Sequence, residues 1–360
     1  MRALIVILLP AVVFSLKVDI TIYHSIWLDV GRFVGDGTPV DFGFDISVST
    51  KTVYVKDDFL SLLMKGKDEC NIITIPGLDP FEYQKKDIYY EEFKNVMIKA
   101  WKKSKSKCSL YVFKYPSHFE SYWDSGRKLA EFARNLKNIK IIAHSKGGLV
   151  ARCALTNESF RANVKDVYFL GTPHLGSPFA NVFWIDPKDF EKVFKVDEIA
   201  ADAMRLTLAM SYTIGYVSSV GSKELSWMNK NLPPLKNYPS IRFHLIAGML
   251  SPDDVEASFK AIKLAFEKRA VKFSSQLMYM AALGELIGKG NDEFVPTDGM
   301  VPVKSALALG KLSGEKVVLY GYTHATLYKD VNLITKIMGS SRLPLVEAMG
   351  FEPTASTLRR

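Results

Sequence analysis

The stretch Ile139-Lys140-Ile141-Ile142-Ala143-His144-Ser145-Lys146-Gly147-Gly148-Leu149-Val150 reads as a strand that turns sharply into a helix, with a serine at the turn. A serine hydroxyl is a weak nucleophile until a base takes its proton. Such a turn lifts the Oγ above the end of a sheet, where a base can reach it. The turn is crowded, so the residues two before and two after the serine must be small; here they are Ala143 and Gly147. The backbone N–H of Lys146 then opens a helix and is aimed at any negative charge that develops beside the serine.

Outward from this turn, strand patterns at residues 71–75, 109–113, 167–170, 242–247 and 316–320 alternate with helix patterns at 91–103, 123–136, 147–155 and 327–337. The first helix carries Phe93, Val96, Met97, Ala100 and Trp101 on one stripe. Strands alternating with helices predict right-handed βαβ units and a mostly parallel sheet covered on both faces, an α/β architecture. Ahead of it, residues 18–23 and 44–48 alternate apolar and polar side chains, and 52–55 continues that style after the turn-like Ser49-Thr50-Lys51. The rhythm breaks at about 176–240 and again at 249–293, where 184–194, 198–210, 255–273 and 275–287 have helical patterns. With no internal repeat and no low-complexity linker, the chain reads as one domain over 16–360 carrying two insertions.

The composition excludes several classes. A chain of 360 residues buries enough surface to need no disulfide staples, and three cysteines cannot form a disulfide framework. No apolar run reaches the roughly 18 residues of a membrane span, and no cysteine or histidine cluster has metal-ligand spacing. The formal charge of +9 is mild for this length and calls for no nucleic acid. Its most basic run, Trp101-Lys102-Lys103-Ser104-Lys105-Ser106-Lys107, reads as a solvated helix end in preference to an anionic-membrane contact. At the N-terminus, Met1-Arg2 precedes an apolar stretch to Leu16, broken only by Ser15, with Val13 and Ser15 small enough to sit three and one residues before a cut that would free Leu16. Residues 1–15 therefore have the layout of a secretory signal peptide, which predicts export; an uncleaved membrane anchor is the second choice. Pro10 weakens the reading of this segment as a buried first strand.

The segment 143–148 resembles the nucleophile elbow of α/β hydrolases, and the run to Arg152 resembles that of bacterial lipases, with Ala143 replacing the commoner first glycine. Further segments match in chain order. Ile75-Pro76-Gly77-Leu78-Asp79 is similar to the His-Gly oxyanion loop, Pro76 standing where that family usually has histidine; the resemblance makes Leu78 the second backbone donor beside Lys146. Leu170-Gly171-Thr172-Pro173-His174-Leu175-Gly176-Ser177-Pro178 matches the segment after the sixth strand, and Lys223-Glu224-Leu225-Ser226-Trp227-Met228-Asn229 the one before the seventh. Thr297-Asp298-Gly299-Met300-Val301-Pro302-Val303-Lys304-Ser305-Ala306 resembles the lipase segment whose aspartate is the triad acid.

This resemblance implies a Ser145–His324–Asp298 triad. The family's base comes last in the chain, and His324 is the sole histidine after Asp298. His174 reads as a structural residue lining the cleft, His144 as the variable position of the elbow, and His244 as a satisfied core histidine. Asp253 and Asp254, close behind the strand at 242–247, are the alternative acids. Some secreted lipases hold calcium through an aspartate two residues after the base; Thr326 stands there, so no metal and no cofactor is expected. Cys70 and Cys108 precede strands that resemble sheet neighbours, which puts a disulfide between them within reach, while Cys153 should be buried.

The implied activity is cleavage of carboxylic esters by a lipase or esterase acting on a small-molecule or lipid ester, with no obligate protein partner and at most a transient lipid-surface contact. Transfer of an acyl group to an alcohol, or glycolipid or phospholipid deacylation, would use the same triad. A catalytically silent lipid-binding protein is the reading from another class. The apolar insertions suit a lid over an acyl chain, or simply pack onto the body.

Overall fold

The computed structural model describes the backbone of residues 16–29 and 41–55, and residues 58–79, 87–177, 180, 221, 224–227, 229–250 and 296–339 with their side chains. The expected leader 1–15, most of the two insertions, Asp253 and Asp254 lie outside the described residues. The elements in chain order are β1 (Leu16–Asp29), β2 (Asp41–Val55), β3 (Phe59–Met64), β4 (Asn71–Ile75), α1 (Ile88–Ser104), β5 (Ser109–Lys114), α2 (Tyr122–Phe132), β6 (Ile139–His144), α3 (Lys146–Ala154), α4 (Glu158–Arg161), β7 (Val164–Leu170), β8 (Arg242–Met249), α5 (Val303–Ala306), β9 (Glu315–Tyr320), α6 (Thr326–Lys329) and α7 (Val331–Gly339).

Strands β3 to β9 form one seven-stranded sheet in the order β3-β5-β4-β6-β7-β8-β9. All neighbours pair in parallel except the edge strand β3, which runs antiparallel to β5. Because side chains alternate along a strand, a sheet covered on both faces needs apolar residues in unbroken runs. Strand β4 shows this: Ile72 belongs to the core beneath α1, α6 and α7, with Phe93, Met97, Leu327 and Ile334. Its neighbour Ile73 belongs to the opposite core, with Leu129 of α2 and Leu149 and Val150 of α3. Strand β6 divides Ile142 and Ile141 in the same way. The expected doubly covered α/β sheet is therefore present.

Four details depart from the sequence reading. The turn expected at Ser49-Thr50-Lys51 lies inside one long strand, where the register between β1 and β2 slips from Ile20–Lys51 to Ile22–Val48. The turn-forming residues are accommodated as a bulge, which needs the same local kink without ending the pairing. Strand β3 has no clean alternation and was not foreseen; an edge strand half-covered on both sides needs none. The helix expected at 123–136 ends at Phe132. The expected last helix is two, because Asp330 leaves helical geometry (φ −73°, ψ 98°) and its Oδ1 accepts from the N–H groups of Asn332 and Leu333, capping α7.

Away from the carboxyl ends of the strands, the fold is fastened by polar clamps. Cys70 and Cys108 form a disulfide. They flank the paired residues Asn71 and Ser109 at the starts of β4 and β5. Cys153 is buried, and burial pushes its thiol pKa up. His244 is satisfied as expected: its ring stacks on Tyr168 with centroids 4.0 Å apart, and its nitrogens meet Glu315 and Asp166 at 2.8 and 3.2 Å. Lys102 and Lys103 lie exposed in the last turn of α1. No helix among the described residues is long and apolar enough to cross a membrane.

Candidate active site

The candidate residues lie in the loops past the carboxyl ends of β4, β6, β8 and β9. Ser145 sits between β6 and α3 with φ 53° and ψ −128°, a positive φ that a non-glycine residue adopts only where its surroundings impose it. Its N–H donates to the Leu170 carbonyl at the end of β7, 2.9 Å away. The two following glycines are required by space. A Cβ on Gly147 would lie 2.4 Å from the Pro76 oxygen, and one on Gly148 would lie 1.9 Å from Thr172 Oγ1. The elbow is thus held between the loop after β4 and the loop after β7.

The loop after β4 lies against the serine. A Cβ on Gly77 would come within 2.6 Å of Ser145 Cβ and 3.2 Å of its Oγ. Every neighbour of Leu78 is anchored. Tyr115 donates to the Pro76 carbonyl at 3.0 Å, and Gly77 N–H donates to Tyr89 Oη at 2.8 Å. Asp79 N–H donates to Ser117 Oγ at 2.8 Å, and His118 Nε2–H donates to the Asp79 carbonyl at 2.7 Å. Among the described residues no acceptor takes the Leu78 N–H. Lys146 turns its side chain inward, fully buried, and donates to the carbonyls of Ser117 and Glu120 at 2.6 and 2.9 Å. One short segment, 115–120, therefore fixes both the loop after β4 and the Lys146 side chain that follows the serine. Gly77→Ala should lower kcat on p-nitrophenyl esters about 100-fold with little change in melting temperature, because the added methyl displaces the loop from the serine. An alanine variant with wild-type kcat would show that the close approach is unimportant.

Asp298 and His324 meet on the other side. His324 Nδ1 lies 2.7 Å from Asp298 Oδ2, and the carboxylate side chain is 1% exposed. The second oxygen, Oδ1, accepts from the N–H groups of Met300 and Val301 at 2.9 and 2.7 Å. The His324 N–H donates to the Asp298 carbonyl at 2.9 Å, so backbone and side chain both tie the pair. Gly248 lets this loop approach β8, since a Cβ there would sit 2.9 Å from Asp298 Cβ. Of the acids weighed from sequence, Asp298 is the one that His324 reaches among the described residues.

Two histidines read differently from the sequence. His174 is in the interior and does not line the cleft: it is 1% exposed, with Arg152 donating to its Nδ1 and its carbonyl. His144 is no neutral spacer. It is buried beside His324, and its Nε2 is 2.9 Å from the His324 carbonyl oxygen. Sequence reasoning missed Tyr89, Ser117, His118 and the Lys146 ammonium, all of which act on the loops through backbone atoms. Nothing in a single sequence marks a side chain that binds a distant main-chain group.

Burial holds three of these imidazoles neutral. It brings His118 down to about 4, with the Lys146 charge adding to the effect, and puts His144 and His174 well below the usual histidine value. The unfolded chain binds protons on these groups near pH 6.5, whereas the folded chain binds none until the pH is far lower. Stability should therefore be complete above about pH 7 and fall as the pH drops from 6.5 toward 4, with His118 alone contributing about 3 kcal/mol of that loss. Urea titrations between pH 7 and 4 would measure it. His118→Gln keeps the donor to Asp79 and should flatten the slope by one proton; an unchanged slope would contradict the assignment.

Residues 109–234 match a family model described as the PGAP1-like alpha/beta domain. No curated protein sequence matches the chain. Among solved structures, a Bacillus licheniformis lipase, BlEst2 in its mature form, is 15% identical over 77% of this chain and 94% of its own, with a TM-score of 0.37. YbtT, a type II thioesterase of the yersiniabactin pathway, is 11% identical over 77% of this chain and 96% of its own, with a TM-score of 0.41. A lipase-esterase related protein from Clostridium acetobutylicum is 12% identical over 77% and 96%, with a TM-score of 0.36. The mostly parallel sheet covered by helices and the serine elbow at the end of β6 give this chain an α/β-hydrolase fold, and its segment 109–234 is similar to the PGAP1-like alpha/beta domain.

Proposed function

We propose that the chain is a serine hydrolase that cleaves carboxylic esters through an acyl-enzyme intermediate. The observation that carries this reading is the buried Asp298–His324 pair, tied through His144 to the strained turn that presents Ser145. In the first half-reaction Ser145 Oγ bonds to the acyl carbon while His324 Nε2 takes its proton. The tetrahedral oxyanion receives the N–H groups of Lys146 and Leu78, each worth about 3 kcal/mol of barrier. The C–O bond to the alcohol then breaks, and His324 returns the proton to the departing oxygen. Water, deprotonated by the same imidazole, adds to the acyl-enzyme and releases the acid and free Ser145. Asp298 fixes Nδ1–H toward itself throughout, leaving Nε2 as the working nitrogen.

The substrate class follows from the apolar insertions, which supply Phe179, Phe183, Trp184, Phe266 and Phe273 in segments that the topology attaches to the ends of β7 and β8. A lipid or other apolar ester is the substrate proposed, met outside the cytoplasm if residues 1–15 act as a leader. A fluorophosphonate probe should label Ser145, and a p-nitrophenyl ester series from short to long chains, with and without an emulsion, should show turnover rising with chain length. Absence of labelling would leave the silent lipid-binding reading standing in place of this one.

A further inference from the structure

We infer that His144 and Tyr89 are positioning residues that form a hydrogen-bond relay from the oxyanion loop to the loop of the base. The inference rests on the reading of His324 as that base. Three contacts make up the relay: Gly77 N–H to Tyr89 Oη at 2.8 Å, Tyr89 Oη to His144 Nδ1 at 3.0 Å, and His144 Nε2 to the His324 carbonyl at 2.9 Å.

The direction of every proton in this chain follows from its ends. A backbone N–H can only donate, so Tyr89 Oη accepts from Gly77 and gives its single proton to His144 Nδ1. A carbonyl can only accept, so His144 Nε2 must carry the imidazole proton. Both ends therefore demand the same neutral tautomer. The surroundings agree: the side chain is buried, its desolvation and the neighbouring His324 both disfavour a charge, and burial keeps the Tyr89 phenol protonated. The ring is also gripped sterically. Its centroid is 4.7 Å from that of His324 and 4.7 Å from that of Tyr328, and Tyr328 packs edge-on against Tyr89 at 5.5 Å.

Two consequences follow. The loop that lies against Ser145 and the loop that carries His324 belong to opposite ends of this relay, so one cannot shift without breaking a buried hydrogen bond at the other. And of two adjacent imidazoles, only His324 is free to take the serine proton, because a proton on His144 Nδ1 would face the Tyr89 hydroxyl proton.

Four proteins test this: the full-length chain and its Tyr89→Phe, His144→Phe and His144→Gln variants. The Phe variant of His144 preserves the ring but makes no hydrogen bonds, whereas Gln can still donate to the His324 carbonyl. On p-nitrophenyl butyrate, Tyr89→Phe should lower kcat about 10-fold and His144→Phe about 100-fold, both with KM within about two-fold of the parent, and His144→Gln should recover about 10-fold over His144→Phe. Nitrogen-15 spectra of labelled histidine at pH 7 should show His144 protonated on Nε2 alone. Equal kcat in parent and both Phe variants, no recovery in Gln, or a proton on Nδ1 would overturn the relay. If His144→Phe does not fold, Tyr89→Phe and the spectra decide. A parent chain that fails to react with a fluorophosphonate would instead overturn the reading of Ser145 and His324, while a reactive parent with undiminished variants would overturn the relay alone.

Discussion

Ser145→Ala is expected to lose ester hydrolysis by about four to six orders of magnitude in kcat, with KM nearly unchanged. The size follows from what alanine removes. No acyl-enzyme can form, so the two easier half-reactions revert to direct attack by water, assisted only by the donors of Lys146 and Leu78 and by substrate binding. The substitution should not harm folding, because Ser145 is fixed through its N–H to Leu170 and its carbonyl to Gly148, not through Oγ. Alanine even relieves nothing at the positive φ, so the turn keeps its shape. Steady-state kinetics on p-nitrophenyl esters, together with mass spectrometry of fluorophosphonate-treated protein, measure both sides of this. Full activity in the variant would show that the nucleophile lies elsewhere.

Asp298→Asn carries the second large effect, and the local hydrogen bonds set its sign. Oδ1 of Asp298 accepts from two backbone donors, Met300 and Val301, so the amide oxygen of an asparagine must take that position. The NH2 group is then forced toward His324 Nδ1, where the carboxylate had accepted. An amide donor there requires an unprotonated Nδ1, which moves the imidazole proton to Nε2, the nitrogen meant to take the proton of Ser145. The base is held in the wrong tautomer, and kcat should fall about 10,000-fold with the fold intact. Asp254→Asn should leave kcat within about two-fold of the parent. The reverse pattern, a harmless Asp298→Asn and an inactive Asp254→Asn, would move the acid to the segment after β8.

The sequence made the sheet legible because both of its faces are buried: Ile72-Ile73 and Ile141-Ile142 are apolar runs that no half-exposed strand would need. The elbow was legible for a steric reason, since Gly147 is imposed by the main-chain oxygens of Ile75 and Pro76 and Gly148 by the side chain of Thr172. The likeness of the 297–306 segment singled out Asp298, although its loop position gives no periodic signal. What stayed hidden was whatever depends on a side chain meeting backbone across the fold. Tyr89 lies on α1 among other apolar-face residues and looks like core, yet its hydroxyl receives Gly77. Lys146 looks like a surface lysine and is wholly interior. The break at Asp330 was missed because helix periodicity continues across it while the backbone does not.

The two apolar layers on either side of the sheet do not share the chemistry equally. Leu149 and Val150 of the nucleophile helix and Val301 and Val303 beside the acid pack in one layer, while Leu327 and Tyr328, just past the base, pack in the other. In the proposed mechanism, proton transfer would therefore span a mechanical seam between the two layers. A displacement of about 1 Å between reacting groups can cost 100-fold in rate, far more than it costs in stability. Under that mechanism turnover is a vernier on the alignment of the two halves: heat, denaturant or a distant core substitution that slides one layer past the other should silence activity while each layer is still folded.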